Sequence, residues 1–396
     1  RDFFGFKTVT TTFADGTYTI DEYCNREYYL KGAVEKRCSY AKDGTLLSMR
    51  TAEYCDAPCA LTAKEENWTY EKASGNADCI HTVACYEYDE YGNCTKVTQD
   101  FGDSESLTGE IIYDNSNVAD YIIGLPVDIY VYGTDGELLR HRSGSYDGKG
   151  QFTELRQYFD SYNWSSNFLS YDNFGNIKRI SDSRGATIAY TYDEDENMFV
   201  TEISQYGEDT DTYRSFIDYD VATQTKTSET DCNGNTLRYE YDDWQRVTKL
   251  FTAYDTAVPA VSYEYFTSQK NADSFHDLWY AITSNKVTFD SDDDSVIQTV
   301  MQIDGLGRAV RTAKTGFVNG IDGWNASGAV EYDEKGRTVK AGMTEFIAGN
   351  LESLLSSRPK MTDLFSSYEY DEKDRQIRTI LPDGSVQENR FYYGRK

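Results

Sequence analysis

Histidine is almost missing from this chain: His81, His141 and His276 are the only three in 396 residues. None stands in an HExxH, beside a GxSxG or next to a cysteine set up as a nucleophile, so the common signatures of hydrolytic chemistry are absent. His276, in "SFHDLW", has the residue type of a general base, but a packed or surface role is the better reading. No GxxxxGK[ST] loop and no GxGxxG after a strand is present to cradle phosphates, and no cofactor is expected. The cysteines form no CxxC pair and have no nearby histidine pair, which argues against zinc. Basic residues are outnumbered, 39 against 67 acidic ones, for a net charge of -28. Nucleic acid and anionic membranes are therefore poor partners. No apolar run approaches the roughly 20 residues of a membrane-spanning helix. The first residues, "RDFFGFKTVTTT", lack an initiator Met, a basic stretch and an apolar stretch, so no signal peptide is expected here and the chain reads as a piece of something larger.

Tyrosine, by contrast, is abundant, with 34 residues against 5 prolines. Disordered acidic chains are poor in aromatics, so a folded chain is expected. Tyrosine favours strands, where its ring packs on the pleated face and its hydroxyl is expected to reach water. Eight cysteines are unevenly placed: Cys24, Cys38, Cys55, Cys59, Cys79, Cys85 and Cys94 crowd the first quarter, and Cys232 stands alone. That crowding suggests local disulfides in an oxidising compartment, with Cys55–Cys59 ("CDAPC") the best candidate. The alternative is that the cysteines are reduced, small buried hydrophobes.

The chain writes one phrase repeatedly. Tyr-Asp heads it at Tyr88, Tyr171, Tyr192, Tyr219, Tyr241, Tyr332 and Tyr370, with Ile303-Asp304 as a variant. Tyr171 and Tyr192 are 21 residues apart, and Tyr219 and Tyr241 are 22 apart. A fixed period of about 20–50 residues marks an array of one supersecondary unit. "YEYD" at Tyr86–Asp89 places Tyr86 and Tyr88 on one face and Glu87 on the other. An Asp at the head of a type I turn accepts backbone N–H groups, and a Gly three residues later closes the loop in the left-handed conformation. Asp89 with Gly92, Asp172 with Gly175, Asp304 with Gly307 and Asp333 with Gly336 are the turn residues so identified. A second strand follows, as in "NIKRIS", "RVTKLF" and "RQIRTI". Glu196, Thr223, Gln245 and Asp374 stand where the glycine is lost, so those turns are built differently or carry strain.

The resulting expectation is an all-β chain: an array of hairpins in one large curved, spiralling antiparallel sheet with little helix. Residues 1–85 form a cysteine-bearing β lead-in, and residues 86–396 form the repeat region. Within the latter, 252–296 reads as a longer connection or a pair of wide strands. A short helix is expected near 346–358, ended before Pro359. "DSDDDS" at Asp290–Ser295 lacks the glycine and terminal glutamate of an EF-hand loop and reads as a solvated acidic loop.

The spelling Y-x-Y-D-x-x-G-R, followed by a strand and a glycine turn, resembles the YD repeat of bacterial Rhs proteins, of the B and C components of insecticidal toxin complexes, and of teneurins. The match covers roughly residues 86–396. Arg1, Asp2, Phe4, Gly5 and Phe6, with Leu30, Lys31 and Gly32, resemble the stretch of toxin-complex B proteins that leads into the repeats. The cysteine cluster departs from that pattern. The resemblance implies a shell wound from the repeats around an encapsulated, C-terminally attached toxic domain. The implied partners are the rest of a larger toxin polypeptide or other toxin-complex components, and the implied setting is secreted or bacterial cell-surface. The cleavage motif of those families is absent; "LPDG" at Leu381–Gly384 is an ordinary turn, and no cleavage residues carry over. The leading expectation is thus a structural, non-enzymatic shell segment. The alternative is a cell-surface adhesion module that uses tyrosine rows to contact glycan; a polysaccharide-acting enzyme is the weakest reading.

Overall fold

In the computed structural model the described residues are 5–25, 27–71, 79–102, 104–207, 212–254, 258–266, 279–288, 295–357, 359 and 361–391. His276, Asp290–Asp294 and the opening residues Arg1–Phe4 fall outside them. Strand makes up 58% of the chain, in antiparallel ladders. Among the described residues 25 strands share one sheet that does not close on itself, and five share a second. Two compact units are present: residues 1–189 with 206–211 and 390–396, and residues 190–205 with 212–389.

In the first unit each strand pairs with the next in the chain, from Thr8–Thr12 and Tyr18–Tyr23 onward to Ile177–Asp182. The pattern is a meander, the outcome of short turns between strands of matched length. A register shift recurs where each strand meets a Tyr: between Glu53 and Tyr54, Glu87 and Tyr88, Ile112 and Tyr113, Ser145 and Tyr146, and Ser170 and Tyr171. Two of these, at Tyr54 and Tyr113, lie in stretches where the repeat's spelling is degraded. All eight cysteines are free thiols. The expected Cys55–Cys59 disulfide is therefore absent. Backbone closes that loop instead: Cys55 N–H donates to Leu61 O at 2.8 Å and Leu61 N–H donates to Cys59 O at 2.9 Å.

The second unit repeats the meander from Val200–Tyr206 to Ile321–Ala326. Val261–Phe266 and Trp279–Lys286, in the stretch where the phrase lapses, pair as wide antiparallel strands. The chain then leaves this sheet. Val330–Tyr332 begins a five-stranded sheet that ends with Val386–Glu388. Gly328 sits where the crossing is tightest: a Cβ there would lie 2.2 Å from the Gly342 backbone, so no side chain fits.

A helix was expected near 346–358; the structure gives the strand Glu345–Ala348 and the helix Leu351–Ser356. "EFIA" pairs with Gly323–Ala326, and Gly349 (φ 110°) then reverses the backbone. Asn350 caps the helix by accepting from Ser353 N–H at 3.1 Å. Leu354, fully buried, drops onto Ile282, Val300, Ala313, Trp324 and Ala326. Arg311, 2% exposed, holds the other end of the helix. It donates to Leu354 O (2.8 Å), Ser357 O (3.0 Å), Ser357 Oγ (3.0 Å) and Gln302 Oε1 (2.8 Å). A cation at a helix C-terminus satisfies carbonyls that the helix cannot.

Candidate functional site

The repeated Tyr-Asp turn is the feature that the sequence spends its residues on, and its geometry is nearly invariant. Asp304 Oδ1 accepts from Leu306 N–H at 2.9 Å and Arg308 N–H at 3.0 Å. Asp304 Oδ2 takes Arg308 Nε at 2.7 Å and Nη2 at 2.6 Å. Asp333 with Arg337 and Asp371 with Arg375 repeat this arrangement. Asp89 with Asn93 and Asp172 with Asn176 use a carboxamide instead of a guanidinium. A carboxylate with both oxygens engaged by donors is stabilised in its charged form. The Arg308 guanidinium accordingly holds the Asp304 carboxyl below its ordinary pKa, and Asn235 does the same for Asp231.

The glycines at the turns adopt left-handed backbone: Gly92 φ 85°, Gly175 φ 93°, Gly307 φ 78° and Gly336 φ 81°. Each donates its N–H to the carbonyl of its turn Asp, as Gly92 does to Asp89 O at 3.1 Å. Where glycine is lost, two solutions appear. Gln245 (φ 62°) and Asp374 (φ 63°) accept the strained conformation in place. At the other two turns the left-handed residue slips by one, from Glu196 to Asn197 (φ 53°) and from Thr223 to Gln224 (φ 59°). Asp193 then gathers a wider loop, accepting from the backbone of Glu196, Asn197, Met198 and Phe199.

Nine strand-end tyrosine hydroxyls depart from expectation: they donate to a backbone carbonyl of the neighbouring hairpin. Tyr88 Oη donates to Thr62 O at 2.9 Å, Tyr113 to Cys94 O at 3.0 Å and Tyr171 to Phe152 O at 2.8 Å. Tyr54, Tyr146, Tyr241, Tyr265, Tyr332 and Tyr370 make the same bond, to Val34, Pro126, Lys226, Val247, Ala309 and Thr338. The reason lies in the register. Strands Thr62–Tyr70 and Cys79–Tyr88 last pair at Lys64↔Cys85, so Thr62 O lies past the end of the ladder. Tyr88, three residues beyond Cys85, spans the gap with its phenol. Pairs Lys96↔Glu110, Glu154↔Phe168, Ser228↔Arg238 and Lys340↔Ser367 stand in the same relation to Tyr113, Tyr171, Tyr241 and Tyr370. The accepting residue is also the cross-strand partner of the previous unit's tyrosine: Thr62 pairs with Tyr54, and Cys94 with Tyr88. Each hairpin is thereby stapled to the one before it. Burial pushes the Tyr88, Tyr113, Tyr241 and Tyr370 phenols above their ordinary pKa, so they stay protonated donors further into the alkaline range.

The turn's arginine joins the two halves. Arg246 lies 4.2 Å from the centre of the Tyr265 ring, Arg308 4.4 Å from Tyr332 and Arg337 4.8 Å from Tyr370. Each guanidinium is thus held by the carboxylate of its own turn and covers the stapling ring of the next. The sequence carried one clue to the staple: tyrosine, not phenylalanine, recurs at the strand end, which packing alone would not require.

The two described histidines are packed. His81 stacks on Trp68 (4.5 Å) and bonds Glu66 (2.8 Å). His141 lies between Tyr130 (4.2 Å) and Tyr158 (3.9 Å) and bonds Asp128 (2.7 Å).

No family model matches the chain, and no curated protein does. Solved structures do. A TcdB2-TccC3-TEV crystal structure aligns with TM-score 0.73 at 12% identity, covering 99% of this chain and 32% of its own. TcdB2-TccC3-Cdc42 aligns with TM-score 0.72 at 12% identity over 98% of this chain and 32% of its own. The Photorhabdus luminescens Tc holotoxin pore aligns with TM-score 0.72 at 11% identity over 95% of this chain and 30% of its own. This chain spans about a third of the length of those chains. Its stapled Tyr-Asp meander has the fold found in the TcdB2–TccC3 and Tc holotoxin structures, so the likeness to toxin-complex and Rhs-type repeats extends from spelling to three dimensions.

Proposed function

We propose that this chain is a wall segment of a secreted bacterial toxin of the Rhs or toxin-complex type, and that the complete wall encloses and helps deliver a C-terminal toxic domain. The observation that carries this reading is the staple. The phenol staple and the arginine–ring contact recur from unit to unit and join one hairpin to its neighbour, while the recurring aspartate bonds close the turn within each hairpin. Such an arrangement serves extension of a sheet, as in other repeat arrays. The partners are the remainder of a longer polypeptide and other toxin-complex components. Proteolysis tests the proposal: in the full-length polypeptide the downstream domain should resist protease until the wall is unfolded. Digestion at the rate of the isolated domain would reject enclosure.

A second reading, glycan contact at a cell surface, rests on the loop after Tyr158. Asp160 holds it rigid through the N–H groups of Tyr162 and Asn163. Phe159 (76%), Tyr162 (85%) and Trp164 (49%) are exposed there. Aromatic faces on a rigid loop suit a neutral sugar. Saturable binding of the chain to a glycan array, lost in Tyr162→Ala with Trp164→Ala, is the result this reading requires.

A further inference from the structure

Three of the regular turns stand against the turn before them, and they do so through the glycine position. A Cβ built on Gly92 would lie 3.8 Å from Leu61 Cδ1, one on Gly175 3.2 Å from Gln151 Nε2, and one on Gly336 3.5 Å from Arg308 Nη1. Leu61, Gln151 and Arg308 occupy one place in the preceding turn. Each comes just before the cross-strand partner of the residue that ends the strand: Thr62 for Tyr54, Phe152 for Tyr146 and Ala309 for Ile303. A side chain at the glycine position therefore points at that place, and glycine leaves the contact unused.

Two turns carry a side chain there in the left-handed conformation, Gln245 (φ 62°) and Asp374 (φ 63°). Gln245 follows a turn whose matching place holds Thr225, ahead of Lys226. Its side chain makes no hydrogen bond among the described residues. Asp374 is different, because the turn before it offers Arg337, ahead of Thr338. Asp374 Oδ1 accepts from Arg337 Nη1 at 2.5 Å and from Lys335 Nζ at 3.2 Å. The Arg337 and Lys335 side chains are only 22% and 20% exposed. Arg337 is fixed further by Asp333 Oδ2 at 2.7 Å and by the Tyr370 ring at 4.8 Å. One carboxylate thus joins two turns 37 residues apart in sequence. Glycine would spare the backbone the cost of the left-handed conformation. Such a cost persists where the surroundings over-determine it, and two charge-assisted bonds do so here.

We propose that Asp374 is an ionic latch between two turns of the second sheet. Its carboxylate holds the Asp371 turn against the Asp333 turn, and raising the salt concentration releases both together. Asp374 is 54% exposed, so salt reaches the pair. The screening length falls from about 10 Å at 0.1 M salt to about 3 Å at 1 M. The latch requires a carboxylate at the glycine position and a cation at the place it faces.

Hydrogen exchange of the Gly336 and Arg337 amides, which bond Asp333 at 2.9 Å each, reads the latch from the turn opposite the substitution. In Asp374→Gly and in Asp374→Asn these amides should exchange about threefold faster than in the unmodified chain at about 0.1 M NaCl. At about 1 M NaCl the difference should disappear. Relief of backbone strain alone acts within the Asp371 turn and would leave them unchanged, as should the control Gln245→Gly. A transplant provides a second test. Gly336→Asp aims a carboxylate at Arg308 and should melt higher than Gly336→Asn at the lower salt concentration and equal to it at the higher. Gly92→Asp, which faces Leu61, should show no such gain over Gly92→Asn. Unchanged exchange at Gly336 and Arg337 in both Asp374 variants, a loss of protection equal at both salt concentrations, or a Gly336→Asp variant no more stable than Gly336→Asn overturns the proposal.

Discussion

Around Leu354 a helix covers one patch of sheet in the second unit, and Ile282, Val300, Ala313, Trp324 and Ala326 are buried beneath it. Among the described residues of the first unit no α-helix does this. Its buried apolar residues are few and small, chiefly Cys24, Cys38, Ala41, Leu47, Ala52 and Ala84. Its strands are held laterally instead, by ladder bonds, phenol staples and cross-strand pairs such as Asp21 with Arg37 (2.6 Å). One patch thus owes its stability to area removed from water, and the other region to polar bonds repeated at every hairpin. The lesson is that a sheet can extend without a thick core if each new hairpin brings its own lateral bond.

The sharpest way to break this comparison is Leu354→Ala. It should cost about 2–5 kcal/mol in the second unit, through lost burial and a cavity. Urea unfolding read by tryptophan fluorescence, which includes core Trp324, measures it. Hydrogen exchange across residues 34–182 should stay unchanged; a matching loss of protection there would show that the two regions are not independently held. Next comes Tyr88→Phe, which leaves Thr62 O without its donor and should cost about 0.5–1.5 kcal/mol. Tyr370→Phe should cost a similar amount in the second unit. If both variants melt with the parent, the staple carries no stability and the contrast between the units collapses. Gly307→Ala should cost about 1 kcal/mol from backbone strain alone, because a Cβ there meets nothing within 4 Å. Replacing Gln245, already at φ 62°, by Gly should gain a few tenths of a kcal/mol.

The smallest effect per site is that of acid. The turn aspartates Asp231, Asp304 and Asp383 have carboxyls depressed below 3.8 by their bonding partners. A depressed carboxyl binds fewer protons in the folded state, so its contribution is present above the ordinary value and lost as pH falls through the depressed one. Melting temperature should therefore hold near neutrality and fall below about pH 4, over many turns at once. Asp304→Asn should flatten that slope slightly; an unchanged slope would place the acid sensitivity elsewhere.

Much of this was readable from residue order because it is local. Asp89 and Gly92, or Asp333 and Gly336, build their turn within five residues, using carboxylate geometry and left-handed glycine that no distant contact alters. The shift of the left-handed residue to Asn197 and Gln224 was less readable, since it depends on how many residues the flanking strands leave for the loop. The disulfide expected at Cys55–Cys59 failed for a related reason: backbone bonds already close that loop, and proximity in sequence does not orient two thiols.

The sequence by itself determined that hairpins recur, where they turn and which residues begin each strand, because those properties rest on bonds spanning about five residues. Only the tertiary structure decided where the strand-end tyrosine hydroxyls go and which ring each turn arginine covers. Those outcomes depend on which strand lies alongside, two ladder positions past the last pair, and no local spelling specifies that distance.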